Sequence, residues 1–288
     1  MVKKKKQNPR NALALLLILG ALLLAPIRGQ AADPVLQITI GSEVRRFDAL
    51  SLLGLPEADS ILVPHDVAYL REMTFRAVPL QALLTGMPVD QVDTLETRAT
   101  DGFVSQLPMA LIIKASTGGS VPWVAIEEPS APWPPMPKRG RSAGPFYIVW
   151  LNPERSSVGR EQWPYNLSSI LEVEAPGRRW PQIVVDPALP ADDPARRGQD
   201  VFIVQCLPCH RLRGGGEGEM GPDLAQPRSP TEYMTEMGLV AQIRDPQSLR
   251  IWPSQQMIGF DEATLSAAEL DAVIAYLKHM SGRRDPAP

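Results

Sequence analysis

The chain's two cysteines, Cys206 and Cys209, lie three residues apart, and a histidine follows the second at once: Cys206-Leu207-Pro208-Cys209-His210. Two thiols and an imidazole on one short segment can do only a few kinds of chemistry. In an oxidising compartment the thiols might simply pair as a disulfide. A zinc site would need two more nitrogen or sulfur ligands at suitable spacing, and the chain has no other cysteine. A thioredoxin-like redox pair opens a helix after a strand within a βαβ pattern, which the surrounding sequence lacks. C-x-x-C-H is also the attachment pattern of c-type haem. In that reading each thiol forms a thioether with one vinyl group of the porphyrin, and the next residue offers its imidazole to the iron as proximal ligand. The expectation is one covalently held haem.

The flanks favour that reading. Asp193-Pro194 places an acid at a helix N-cap and proline at the first helical position. A helix over 195–205 would then deliver the cysteines, with Gly198 and Phe202 sharing a face. Further on, Ser266 and Glu269 form a capping box. It opens a helix that carries Leu270, Val273, Ile274 and Leu277 on one stripe, with Tyr276 beside it. The stretch 231–243 also reads as helical.

The first 31 residues stand apart. Lys3 to Lys6 and Arg10 precede an apolar run from Ala12 to Ala25, and small residues follow at Gly29 and Ala31. This is the layout of a signal peptide cut after Ala31; the alternative is an uncleaved anchor over 11–27, the one circumstance in which the chain would meet a membrane. Either way the remainder lies outside the cytoplasm, which here means the periplasm. The first 31 residues hold six of the 29 basic residues and no acid, so the remainder has 23 basic against 32 acidic residues, a net of −9. A nucleic-acid partner is excluded on that balance, since phosphates need a basic surface. A redox partner protein with a basic docking face suits it, although acidity mostly serves solubility.

Between residue 32 and about 186 the texture changes. Leu36, Ile38 and Ile40 alternate with polar residues, as in a strand with one buried face. Further β-rich pieces are 110–114, 146–150 and 170–174, and a helix is expected around 79–84. The segment Pro129 to Pro137 holds five prolines and reads as an extended surface loop. The proline-rich stretch 186–194 reads as a linker. The expected organisation is therefore a signal peptide (1–31), an α+β domain (32–186) and an all-α haem domain (187–288).

The segment from Pro194 to Met280 resembles the class I cytochrome c family. There the first and last helices cross with a glycine against an aromatic residue, a pattern matched by Gly198, Phe202 and Tyr276. Gly221-Pro222-Asp223-Leu224 is similar to the family's G-P-x-L loop. The resemblance implies that the Pro222 carbonyl accepts a hydrogen bond from His210, as iron-bound imidazoles commonly require. It also implies a methionine as sixth ligand. Of Met220, Met234, Met237, Met257 and Met280, Met257 lies in an irregular segment, Pro253 to Phe260, similar to the family's distal loop; another ligand or an open iron are the alternatives. His279 is set aside because its helix would pack against the haem's edge. Imidazole and thioether together raise the potential and leave no site for oxygen, so the chain is expected to be an electron carrier or the cytochrome subunit of an oxidoreductase, with no catalytic residue of its own.

The preceding domain resembles the molybdopterin-binding fold of the sulfite oxidase family in short fragments: Val63-Pro-His-Asp66, Arg76-Ala-Val-Pro-Leu80, Ala99-Thr-Asp-Gly-Phe103 and Gly144-Pro-Phe-Tyr-Ile-Val149. That family binds molybdenum through a cysteine thiolate, and this chain has no cysteine outside the haem motif. No metal ligand carries over. Asp101 and His65 read as a turn acid and a surface imidazole, and the expectation is a fold of that kind without molybdopterin, used for docking or scaffolding. The alternatives are a molybdopterin-dependent oxidoreductase passing electrons internally to the haem, and a haem sensor.

Overall fold

The computed structural model describes residues 33–283 apart from 138, 157, 252 and 254, so the expected signal segment lies outside the described residues. Alternation builds the first sheet. In β1 (Val35–Ile40) the side chains of Leu36, Ile38 and Ile40 are fully buried, and Gly41 turns the chain with φ +55° into β2 (Glu43–Asp48). A positive φ of this size is where glycine is favoured. β1 also pairs in parallel with β9 (Leu167–Val173), which is antiparallel to β5 (Thr94–Ala99), which pairs with β6 (Val104–Pro108). The order is β2-β1-β9-β5-β6.

The second sheet is antiparallel, in the order β3-β4-β7-β8: β3 (Asp59–Asp66), β4 (Arg71–Pro79), β7 (Val121–Ile126) and β8 (Phe146–Leu151). Phe75 meets Trp133 and Tyr147 edge-on at 4.9 and 5.9 Å, the geometry that aromatic quadrupoles favour. Short helices α1 (Ala49–Leu53), α2 (Leu80–Leu84) and α3 (Met109–Ile113) cover strand ends. The last of these corrects the strand expected at 110–114. Met109, Leu111 and Ile112 are buried while Ala110 and Ile113 are exposed, a helical pattern that a five-residue apolar run does not disclose. The proline segment 129–137 has no helix or strand, but it is not merely superficial, since Met136 is buried and Trp133 packs on Phe75. His65 is exposed on β3, and Asp101 pairs with Arg141 at 2.9 Å while accepting from the Phe103 amide.

After β9 the chain turns helical: α4 (Pro176–Arg179), α5 (Pro194–Gln205), α6 (Pro230–Tyr233), α7 (Glu236–Arg244), α8 (Pro246–Leu249) and α9 (Ala267–Gly282). Asp193 caps α5 by accepting from the Ala195 amide, and the Ser266–Glu269 capping box opens α9. The helices α5 and α9 touch at Gly198, where a Cβ would fall 2.0 Å from the Ala272 carbonyl oxygen. One turn on, the rings of Phe202 and Tyr276 lie 5.2 Å apart. The helix expected over 231–243 is broken. Met234 is extended at φ −105°, ψ 147°, and Thr235 starts α7 by accepting from the Gly238 amide, because a threonine hydroxyl competes well at a helix start.

The linker is also tied down. The Asp186 amide donates to His279 Nε2 at 3.0 Å, and the Arg196 guanidinium donates to the carbonyls of Pro187, Leu189 and Pro190. Ile183 and Val185, just before it, belong to the helical core. Among the described residues no helix is long and apolar enough to cross a membrane.

The described residues from Pro34 onward form one compact unit with separate cores in its sheet lobe and helical lobe. Their seam is charged. Glu96 of β5, fully buried, pairs with Arg98 at 2.5 Å and with Arg179 of α4. Both arginines also reach Glu217 in the loop beyond His210, at 3.2 and 2.6 Å. Burial alone would raise the Glu96 pKa, but hydrogen bonds from Gln106 and Arg179 outweigh it and hold the carboxyl below the ordinary 4.5. A depressed carboxyl adds stability above the unfolded value and loses it as pH falls through the folded one. Acidification below about pH 4.5 is therefore expected to loosen this seam. Glu96→Gln keeps the shape and removes the charge; with one arginine partly hydrated, a loss of about 2 kcal/mol is expected in denaturant melts at neutral pH. The same loss persisting well below pH 4.5 would show that charge was not the cause.

Candidate functional site

The motif hangs from the last turn of α5. The amides of Cys206 and Leu207 both donate to the Phe202 carbonyl at 2.9 Å, and those of Cys209 and His210 donate to the Cys206 carbonyl at 3.1 and 2.9 Å. Both thiols and the imidazole therefore sit on one turn, anchored by Leu207, which is buried in the helical core. Leu207 and Pro208 face Val104 and Gln106 of β6 across a cavity of about 10 Å³. Burial pushes the Cys206 thiol up to about 12, with the charge of Glu161 adding to it, and Cys209 is raised in the same way. Redox-active and metal-binding thiols need the opposite shift. Among the described residues, no group of three or more His, Cys, Asp or Glu is arranged to hold a metal ion.

His210 is held by two neighbours in the loop that follows it. Its Nδ1 lies 2.8 Å from the Pro222 carbonyl oxygen. A carbonyl can only accept, so Nδ1 carries the hydrogen and Nε2 of the neutral ring keeps its lone pair. Burial lowers the imidazole pKa against the opposing pull of Pro222 and Asp223, which favours that neutral ring. Gly221 lies flat on it: a Cβ there would stand 2.3 Å from Cε1. The Gly221 amide donates back to the Cys209 carbonyl at 2.8 Å.

The loop's shape depends on Asp223, which sequence reasoning missed. Its Oδ1 accepts from the amides of Arg213, Ala225 and Gln226, and Oδ2 from that of Gly214, all within 3.1 Å. An aspartate after Gly-Pro is a turn signal that could have marked it.

Met257 packs against a neighbouring apolar cluster with Leu239, Ile243, Phe260 and Ile274; Val201 of α5 touches both this cluster and the one holding Cys206. Gln242 Nε2 of α7 donates to the Met257 sulfur at 3.4 Å. No sequence signal connects these two residues fifteen apart. Of the other methionines, Met220 and Met237 are exposed and Met280 is buried in the helical core, while His279 Nε2 is occupied by the Asp186 amide. The structure thus brings Cys206, Cys209, His210 and Pro222 together and places Met257 in the adjoining cluster.

Residues 195–281 match a family model described as Cytochrome c. The C-terminal region is a cytochrome c domain. It runs from the second residue of α5 to the next-to-last of α9. No curated protein matches the chain as a whole or in part. The cytochrome c domain implies a haem c cofactor and a haem-based role in electron transfer. The residues fit such a group: two thiols on one turn could attach it, and the glycine-backed imidazole of His210 has Nε2 available toward iron. The lobe before this domain is sheet-rich.

Proposed function

We propose that the chain is a single-haem cytochrome of the periplasm that passes electrons between partner proteins, with its sheet lobe serving as a docking or scaffold domain. The observation that carries this reading is the His210 imidazole, oriented by the Pro222 carbonyl and set on the same turn as the two cysteines. Bound haem supplies a one-electron couple at its iron. Cys206 and Cys209 would hold it by thioethers, His210 through Nε2 and Met257 through its sulfur would serve as the iron's protein ligands, and Gln242 would steady Met257. Pro222 fixes the tautomer of His210. Export is supported by the basic and apolar start of the sequence, and the net of −9 suits partners with a basic face.

Protein made by a host able to mature c-type cytochromes is expected to be coloured, with a mass one haem above the processed polypeptide; colourless material at the bare mass overturns the reading. Met257→Ala is expected to lower the potential and to let the reduced protein bind carbon monoxide quickly, because the axial thioether is lost. An unchanged potential would move the distal ligand elsewhere.

The sheet lobe is read as a sulfite oxidase-like fold without its metal, since every cysteine of the chain belongs to the haem motif. Metal analysis of protein expressed with cofactor synthesis intact is expected to find no molybdenum. A stoichiometric amount would favour an oxidoreductase that feeds electrons to its own haem.

A further inference from the structure

The turn Gly159–Trp163 of the sheet lobe is pinned at almost every residue. The Gly159 amide donates to Gln162 Oε1 at 2.8 Å, Trp150 Nε1 donates to the Gln162 carbonyl at 2.8 Å, and Trp163 is buried. Arg160 reaches the Val67 carbonyl at 3.4 Å. The turn presses on the haem-attachment segment: a Cβ on Gly159 would lie 2.1 Å from Nε2 of Gln205, the residue before Cys206. On the distal side, the charge of Arg160 acts on Asp261, four residues beyond Met257.

Glu161 is the exception within this turn. Among the described residues no hydrogen bond or ion pair reaches its carboxylate, although it is half-buried and its charge acts on both Cys206 and Cys209. Burial pushes its carboxyl up to about 7, with Arg160 opposing. The groups that share its surroundings are Arg160, Tyr165, Cys206 and Cys209. Once both cysteines are thioethers they no longer titrate, which leaves Glu161, among these side chains, as the one able to change charge near neutrality. His210 responds instead to burial, to Pro222 and to Asp223.

We propose that Glu161, contributed by the sheet lobe, binds a proton when the haem attached at Cys206 and Cys209 is reduced and releases it on oxidation. The inference rests on the haem reading above. One electron from a donor protein converts ferric to ferrous iron, and one proton from solvent bonds to a Glu161 carboxylate oxygen; no bond breaks, and oxidation reverses both events. The driving force is electrostatic. The added electron makes a negative charge on Glu161 less favourable, in surroundings only partly open to water. The sheet lobe then does more than dock a partner, because it links the potential of the helical lobe to pH.

The test is the midpoint potential of the full-length haem-loaded protein from mildly acidic to mildly alkaline pH. The potential is expected to fall as pH rises through neutrality. A proton affinity about tenfold higher in the reduced state corresponds to about 59 mV between the two limits. Glu161→Gln should remove this slope, and Glu161→Asp should retain it. Redox difference infrared spectra should show a protonated carboxyl stretch in the reduced native protein that Glu161→Gln lacks. A flat native potential, a slope that survives in Glu161→Gln, or no carboxyl band on reduction would each overturn the proposal. A coloured protein with a flat potential defeats this inference alone; a colourless one defeats the haem reading beneath it.

Discussion

Replacing Cys206 and Cys209 together by alanine is expected to abolish permanent haem attachment. Under denaturing conditions the double variant should run without colour and weigh no more than its polypeptide. On the proposed reading each thiol would be the one nucleophile available to its vinyl group, because these are the chain's two cysteines and both lie on one turn. With both removed, His210 and packing remain, and those contacts dissolve when the fold does. A single replacement leaves one thioether and an intermediate result. Haem that stays fully bound on a denaturing gel after the double replacement would refute the attachment site. The change is also mild for the fold, since the turn is held by backbone hydrogen bonds to the Phe202 and Cys206 carbonyls, not by the sulfur atoms.

The second large effect is expected at Gly198. Gly198→Val places a branched side chain where even a Cβ would sit 2.0 Å from the Ala272 carbonyl oxygen and 2.7 Å from the Cβ of Tyr276. The first obstacle is helix backbone, which cannot rotate away as a side chain could. The helices must separate, and the contact between Phe202 and Tyr276 opens with them. A loss on the order of 4 kcal/mol is expected, at the high end for overpacking. For a unit of this size that lowers the melting temperature by about 10 °C. Because α5 also delivers Cys206, the haem-loaded yield should fall in parallel. A variant that melts with the native protein would mean the helices do not cross at this residue.

Why Gly198 could be found in the sequence and other features could not is a matter of range. The glycine, Phe202 and the stripe on α9 repeat at helical spacing, and Asp193-Pro194 and Ser266–Glu269 act within a few residues, so each leaves a local mark. β1 is equally legible, because its buried face alternates. The strand misread at 110–114 is instructive beside the helix expected at 79–84. Pro79 and Pro108 share φ −56° and ψ 131°, and each ends a strand and starts a five-residue helix. The proline does the same work twice, but Ile112 and Ile113 in the second copy look like strand residues, and their preference is overruled by the fold.

What stayed hidden depends on distant pairing. Glu96 alternates along β5 as an outward polar residue would, and its burial is compensated by Arg98, by Gln106 of the neighbouring strand and by Arg179, which arrives from α4 far along the chain. Gln242 and Met257 meet because the fold brings α7 against the irregular segment that carries Met257. Glu161 gains its setting from a lobe with a separate core. The residues proposed to attach haem form a local pattern because that chemistry demands adjacency in sequence; the groups around them act through space.

The tethered stretch between the lobes bears on how this protein can be cut. Tyr276 Oη donates to the Ile183 carbonyl at 2.5 Å, and Ile183 and Val185 fill the same apolar cluster as Phe202 and Leu277. A fragment begun at the proline-rich stretch would leave a hole beneath the last helix and strip that tyrosine of its acceptor. An excised haem-binding piece that keeps its own interior whole has to start upstream of Trp180, and the guanidinium of Arg179 would then point into water where Glu96 now receives it.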